Sequence, residues 1–382
     1  MKHWVQLARD QLGVGRGAPQ AINAHLEAAA QWICRAQAAT PDDGVAHSYD
    51  IRANKWLASY PETTGYIIPT LYDYAQHFNK PQYREAARRM AQWEVDVQLP
   101  EGGVRAGTMD AHVITPTIFN TGQVLFGLAR AAKETNDDRF LKALKRAADW
   151  LVKVQDEDGC WRQFQSPFTT TSVAAYNTRT AFGLSRAFEV IPDERYLLAA
   201  DRNIAWALST AGENDWFPGN CLTRNSDDSA LTHTIAYSIR GLLEVGVVLE
   251  KSQYLEHALR MAKAVALAQR EDGSLPGYLT PDWQGKTSWT CVTGNSQMAI
   301  NWFRLARETG ESLLVQHAIA ANRHNMGLQD LSTDNVNIYG AIKGSHPING
   351  GYMTWRFPNW AAKFFMDALM LEALGESVEN IG

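Results

Sequence analysis

An internal repeat constrains the fold of this chain before any single motif does. The segment RFLKALKRAADWLVKVQDEDGCW, which begins at Arg139, reads as an apolar-striped helix closed by a Gly-containing turn, and a second helix opens at Tyr176-Asn177-Thr178. Gln98 in MAQWEVDVQLPEGG and Gln155 in AADWLVKVQDEDG stand about 57 residues apart, as do Asn120 in FNTGQVLFGLARA and Asn177 in YNTRTAFGLSRA. A period of this size is one helix pair, and a helix pair buries its apolar faces only against further copies of itself.

Two kinds of helix alternate along the chain. Ile22–Gln37, Gln82–Gln98, Arg139–Gln155, Arg195–Ala211, Gln253–Gln269 and Leu313–Gln329 carry apolar residues at i, i+3, i+4 and i+7 with charge on the other face, so they read as outer helices. Glu62–Gln76, Asn120–Lys133, Asn177–Val190, His233–Val245, Gly294–Ala306 and Asn359–Leu371 are nearly apolar all round and must be enclosed, so they read as inner helices. Links from an inner to the next outer helix are short, such as HFNKPQ and VIPDER, whereas those from outer to inner run to about twenty residues or more. That asymmetry puts every long loop on one face of a closed ring. The expected fold is all-α, an (α/α)6 toroid, forming one domain over residues 1–382 with residues 1–20 as an N-terminal extension.

Charge and cysteine usage narrow the partners. A formal net charge of −5 supplies no basic footprint, so nucleic acid is not expected as a partner. No apolar run has the ~18 residues of a membrane span, and MKHWVQLARDQLGVGRGAPQ lacks the apolar core of a secretory signal, which predicts a cytoplasmic protein without a membrane span. Cys34, Cys160, Cys221 and Cys291 stand far apart, so neither a metal site nor a cofactor is expected. Oligomeric state is not encoded in any pattern here.

Gln155-Asp156-Glu157-Asp158-Gly159-Cys160-Trp161 resembles the QxxDGxW signature of the terpene cyclase and prenyltransferase toroids, and Gln269–Leu275 matches it without the Trp. The resemblance implies the toroid, with Gln capping the helix and Asp-Gly making the turn. Their chemistry does not follow: Asp227-Asp228 does not fit the cyclases' DxDD motif, and Cys291 lacks the Asp that accompanies it in the zinc-dependent prenyltransferases. In architecture and in its aromatic-rich loops the chain is also similar to carbohydrate-active toroids: glycoside hydrolases, uronate-directed polysaccharide lyases, sugar epimerases and the C-terminal domain of glucuronyl C5-epimerases. These imply an oligosaccharide or polysaccharide substrate.

The long loops carry what such a substrate requires, flat rings for stacking and short polar groups for hydroxyls. Substrate contacts are expected from Tyr60, Trp161, Arg179, Trp216, Trp289, Asn295, His346, Tyr352 and Trp355. For any one of the Trp, plugging the end of the ring is the competing role. Arg179, one turn into an inner helix, needs an anion, which is Glu62, Asp110 or a uronate carboxylate. Asp110 and Glu62 form the natural carboxylate pair for hydrolysis, with Asp110 beside His112 in TMDAH. His233 and Tyr237, four apart on one helix face, suit proton abstraction next to a uronate carboxylate; a core His bonded to its neighbours is the plainer alternative. The glycines and Pro347 of GAIKGSHPINGGYMTW suit a lid, or equally the seam where the ring closes. The expected activity is cleavage of a glycosidic bond in an acidic saccharide, by hydrolysis or elimination, with Asp110, His112, Glu62, His233 and Tyr237 as candidate catalytic groups. C5 epimerisation, an isoprenoid cyclase or transferase, and a non-catalytic saccharide-binding protein are the alternatives.

Overall fold

In the computed structural model, which describes residues 2–13, 19–171 and 173–375, thirteen α-helices account for the regular structure together with one short 3-10 turn and a few two- or three-residue strands. Residues 1, 14–18, 172 and 376–382 of the expected 1–382 domain, including part of the expected N-terminal extension, lie outside the described residues. After α1 (Lys2–Leu12), the outer helices are α2 (Ile22–Ala38), α4 (Pro81–Val97), α6 (Asp138–Lys153), α8 (Glu194–Thr210), α10 (Ser252–Leu267) and α12 (Leu313–Leu328). The inner helices are α3 (Pro61–His77), α5 (Ile118–Thr135), α7 (Thr178–Phe188), α9 (Thr232–Val248), α11 (Val292–Thr309) and α13 (Asn359–Leu374). Inner helices touch in the cyclic order α3, α5, α7, α9, α11, α13 and back to α3, so the ring is closed and the fold is an (α/α)6 toroid. No helix among the described residues is long and apolar enough to cross a membrane.

The repeated Gln works differently from the capping role expected of it. Rather than capping its own helix, Gln155 reaches over the seam: its Nε2 donates to Gly159 O (3.0 Å) in its own turn and to Ala199 O (2.8 Å) on α8, while its Oε1 accepts from Arg202 Nη2 (2.7 Å). Gln98 repeats this between α4 and α6 through Gly102 O and Ala143 O, and Gln269 between α10 and α12 through Gly273 O and His317 O. Gln329 closes the circle, bonding Gly340 O at 2.8 Å and His25 O of α2 at 3.2 Å. Gln37 makes the same reach from α2 to Ala86 O on α4. The α8–α10 seam has no such Gln. There Asp215 binds Arg260 (2.6 Å) and His257 (2.5 Å), both on α10.

The turn residue is glycine for two reasons at Gly159: φ is +90°, and a Cβ would lie 2.3 Å from Arg202 O on the next outer helix. Gly102, Gly273 and Gly340 occupy the same place at their seams.

Short strands knit the long loops together. Ser48–Asp50 pairs with Lys55–Trp56 and with Arg356–Pro358, Ala230–Leu231 with Tyr278–Leu279, and Thr290–Cys291 with Ser345–His346. Loop six, read from sequence as lid or seam, is therefore bonded to loops on both sides. The extension helix α1 docks on it: Asp10, buried, accepts from Lys343 Nζ (2.6 Å) and Ile348 N (2.9 Å).

Removing one seam amide tests this account. Gln155→Leu strands two backbone carbonyls and a guanidinium, and is expected to lower stability by about 2–3 kcal/mol in urea unfolding; Gly159→Ala, strained and overlapping α8, by more than about 3 kcal/mol. A Gln155→Leu protein within about 0.5 kcal/mol of the parent would show that the amide holds nothing.

Candidate active site

The mouth of the toroid holds a cavity of about 380 Å³, within the size range of small-molecule sites. Its walls come from the first turns of inner helices and from the loops above them. Pro61 starts α3 and fixes Glu62 in the first turn, facing the cavity. Tyr60, just before it, donates its hydroxyl to the Glu62 carboxyl. Enclosure raises Glu62 to a pKa of about 7 in spite of that hydrogen bond, which opposes the shift. Glu62 is the one carboxylate on the cavity wall among the described residues.

Opposite stands α9. His233, in its first turn, shares a 2.6 Å hydrogen bond between Nδ1 and Gln297 Oε1, so Nδ1 carries the proton and Nε2 is the basic nitrogen. Burial pushes its pKa down to about 4, so the ring is neutral at ordinary pH. Tyr237, one turn on, packs against it at 4.5 Å between ring centres. The Tyr237 hydroxyl lies near Tyr66 and Gln297 without a well-formed hydrogen bond, and burial raises its pKa. Tyr352 covers His233 from loop six at 5.3 Å, its hydroxyl accepting from Trp360 Nε1 (2.9 Å).

His47, on the first loop, is a cavity residue absent from the expected site. It packs edge-on against Trp360 (4.8 Å), and burial lowers its pKa to about 3. Tyr66, Phe119, Asn120, Tyr176, Phe168 and Trp360 are further wall residues that were not singled out from sequence. Two signals were available: His47 and Tyr60 lie on the long loop that leads into α3, and Asn120 and Tyr176 sit at inner-helix N-termini, the end on which the long loops converge.

The structure thus brings Glu62, Tyr60, His233, Tyr237 and Tyr352 together. It leaves the other expected residues elsewhere. Asp110 and His112 are exposed, and Asp110 is engaged by the Thr108 hydroxyl (2.6 Å) at the rim. Trp161 is 1% exposed, with its indole N–H on Leu151 O, so it serves the seam. Trp216 is buried against Trp283 and bonds Asp228; Trp289 packs on Gly277 and Gly351. Asn295 donates to Asn325 Oδ1 (3.0 Å) inside the helix layer. His346 lies beside Lys343 and Asp10, and Trp355 meets Trp4 of α1 edge-on. Arg179 pairs with neither Glu62 nor Asp110. It lies below the cavity, stacked on Phe126 at 4.5 Å, with Nε bonded to Gln123 Oε1. Among the described residues no three His, Cys, Asp or Glu side chains are grouped to hold a metal ion.

Residues 107–293 match the ulvan lyase N-terminal domain family. That span contains Asn120, Tyr176, His233 and Tyr237, whereas Glu62 precedes it. No curated protein matches the sequence. Among solved structures, an unsaturated glucuronyl hydrolase specific for heparin superposes with a TM-score of 0.72 at 14% identity, covering 94% of this chain and 98% of that one. The unsaturated glucuronyl hydrolase of Bacillus sp. GL1 gives 0.70 at 18% identity over 94% and 97%. A D-mannose isomerase gives 0.72 at 12% identity over 92% and 97%. At these identities the likeness establishes the shared fold, an (α/α)6 toroid.

The raised pKa of Glu62 carries a stability consequence. The native protein holds this proton between about 4.5, the ordinary carboxyl value, and about 7, so the contribution of Glu62 is most favourable at low pH and is lost as pH rises through that window. Glu62→Gln, which cannot ionise, is expected to raise Tm relative to the parent at pH 8 but not at pH 5. An equal difference at both values would contradict a proton held on Glu62.

Proposed function

We propose that this cavity cleaves a uronate-containing polysaccharide by β-elimination. The observation that carries the proposal is a cavity walled by one carboxyl group, held protonated to about pH 7, facing a neutral His–Tyr pair. Ordinary glycoside hydrolysis needs two carboxyl groups flanking the bond, one acid and one base or nucleophile. Elimination needs instead a donor to the uronate carboxylate, a base for the proton at C5 and an acid for the departing oxygen.

Each part has a residue. Glu62, as the neutral acid, donates a hydrogen bond to the substrate carboxylate and so stabilises the negative charge that spreads onto it when C5 is deprotonated. Nε2 of His233 takes the C5 proton, while Gln297 holds Nδ1 and stabilises the imidazolium that forms. The C5 electron pair becomes the C4=C5 double bond, the C4–O bond breaks, and the leaving oxygen takes the hydroxyl proton of Tyr237. Proton return from His233 to Tyr237 resets the site. Tyr60, Tyr352 and Trp360 offer ring faces to the sugar. The match to a family named for ulvan lyase, across the segment that holds His233 and Tyr237, supports the reading.

A second reading rests on the same lone carboxyl. In it, Glu62 protonates the double bond of an already unsaturated uronyl end, water adds to the cation and its spare proton returns to the Glu62 carboxylate; the neighbours' names, unsaturated glucuronyl hydrolases, give unsaturated glucuronyl ends as the group that those proteins act on. The two readings move ultraviolet absorbance in opposite directions. Elimination creates absorbing 4,5-unsaturated ends from a saturated uronan; hydration removes absorbance from an unsaturated oligosaccharide. Deuterium entering C5 without either change would point to epimerisation.

Under the elimination reading, His233→Ala and Tyr237→Phe each lose about 10²–10⁴-fold in kcat on a saturated uronan. The rate of the parent falls below about pH 4, where His233 is protonated, and above about pH 7, where Glu62 ionises. A rate that still climbs between pH 7 and 9 would remove Glu62 as the proton-bearing group.

A further inference from the structure

Deeper in the bore than the large cavity lies a second, much smaller space of about 10 Å³. Its walls include Arg179, Arg240, Gln297, Asn301 and Tyr237, and Tyr237 is the residue that also lines the cavity above. The centre of a water-sized sphere can move through those 10 Å³, which leaves room for one small monatomic ion as well as for one water. Arg179 is 1% exposed, and its Nη2 has no hydrogen-bond partner. Nor does it reach a carboxylate: among the described residues no Asp or Glu oxygen lies within 4.0 Å of its guanidinium. Its Nε bonds the neutral amide of Gln123, and its faces meet Phe126, Phe182, Tyr237 and Phe364. Two buried acids act on it from beyond contact distance, and both are already engaged: Asp367 by Lys363 and Thr70, and Glu244 by Arg240 at 2.9 Å, Arg304 at 3.0 Å and Arg186 at 4.0 Å.

A guanidinium kept from water without an anion is costly, and aromatic faces offset part of that cost only. Water in the space would satisfy Nη2 as an acceptor but leave the charge uncompensated. A carboxylate or phosphate is larger than the space. We infer that this space is a binding site for one monatomic halide, chloride in the first instance, held by Arg179 together with Arg240 and the side-chain amide of Gln297, while Asn301, whose amide donates to Ala236 O and Met298 Sδ, only walls it. The site is independent of which reaction the upper cavity performs. Through Tyr237 and Gln297, which also serve His233, halide occupancy is transmitted to the site above.

Two measurements test it. Crystals grown or soaked in sodium bromide are expected to show an anomalous peak between Arg179 and Arg240; a space that is empty or holds only water under those conditions overturns the assignment. In solution at constant ionic strength, Tm is expected to rise saturably by about 3 °C as chloride replaces methanesulfonate, which is too large for the space. Arg179→Met removes the charge and Ala236→Val fills the space while keeping every charge, and both should abolish the chloride response. If Arg179→Met does not fold, Ala236→Val and the bromide peak decide. Equal Tm in the two salts, an undiminished chloride response in Ala236→Val, or bromide retained in Arg179→Met, counts against the site.

Discussion

The architecture depends on one side-chain amide used again and again. A ring of helices has no built-in reason to close, since the apolar faces of neighbouring pairs would tolerate sliding. The Gln at the end of an outer helix removes that freedom, because its N–H groups join its own turn to a backbone carbonyl on the next outer helix, and on four seams its oxygen is claimed by a side chain of that helix: Arg146, Arg202, His317 and His25. A hydrogen bond buried with all its capacity used is expensive to break by halves, so register between pairs is set to within a bond length. The last clasp, from Gln329 to α2, makes a closed object of a linear repeat.

Much of this was legible in the chain. Helix positions followed from the 3.6-residue period, inner and outer identity from how far round each helix the apolar residues extend, and the single active face from loop lengths. The role of the Gln was not, because a one-dimensional pattern shows that a residue recurs but not whether it bonds within its helix or across to another. The site was legible where it lay on helices. His233 and Tyr237 share a face by arithmetic, and Glu62 sits in a first turn. It was opaque in the loops, which have no period to say which way a side chain points. Trp161, Trp216 and Trp289 have the composition of a sugar platform, yet all three pack into the protein; Asp110 and His112 have the composition of an acid–base pair, yet stand in water. Asn295 misled for a different reason. An inner helix is polar where it must bond its neighbour, and Asn325 is that neighbour's side chain.

The inner helices, apolar almost all round, still carry ions, and the way these are arranged separates two regions of the same bore. Along the axis, Arg179 apart, charges remain because partners were supplied: Lys363 with Asp367 at 2.5 Å, both wholly buried, and three arginines on Glu244. At the mouth no such partners line the cavity among the described residues, and desolvation acts instead on the proton equilibrium, so that Glu62 keeps its proton, His233 and His47 lose theirs, and Tyr60 and Tyr237 stay as phenols. The same low-polarity surroundings therefore give ion pairs below and neutral proton donors and acceptors above.

That division bears on what chemistry the mouth can support. A cavity of fixed charges would hold a uronate tightly through its carboxylate and gain little when the charge spreads toward C5. Neutral groups poised to give or take a proton bind the ground state weakly and respond to the charge as it develops, which is the difference that accelerates a reaction. Tyr237 stands where the two regions meet, its ring facing the Arg179 guanidinium at 5.7 Å on one side and His233 on the other. A positive charge on that side favours the phenolate over the phenol. In the proposed elimination, the phenolate that Tyr237 leaves on giving its proton to the departing oxygen is stabilised by Arg179 from below rather than by water, and the proton then on His233 lies one ring away to restore it.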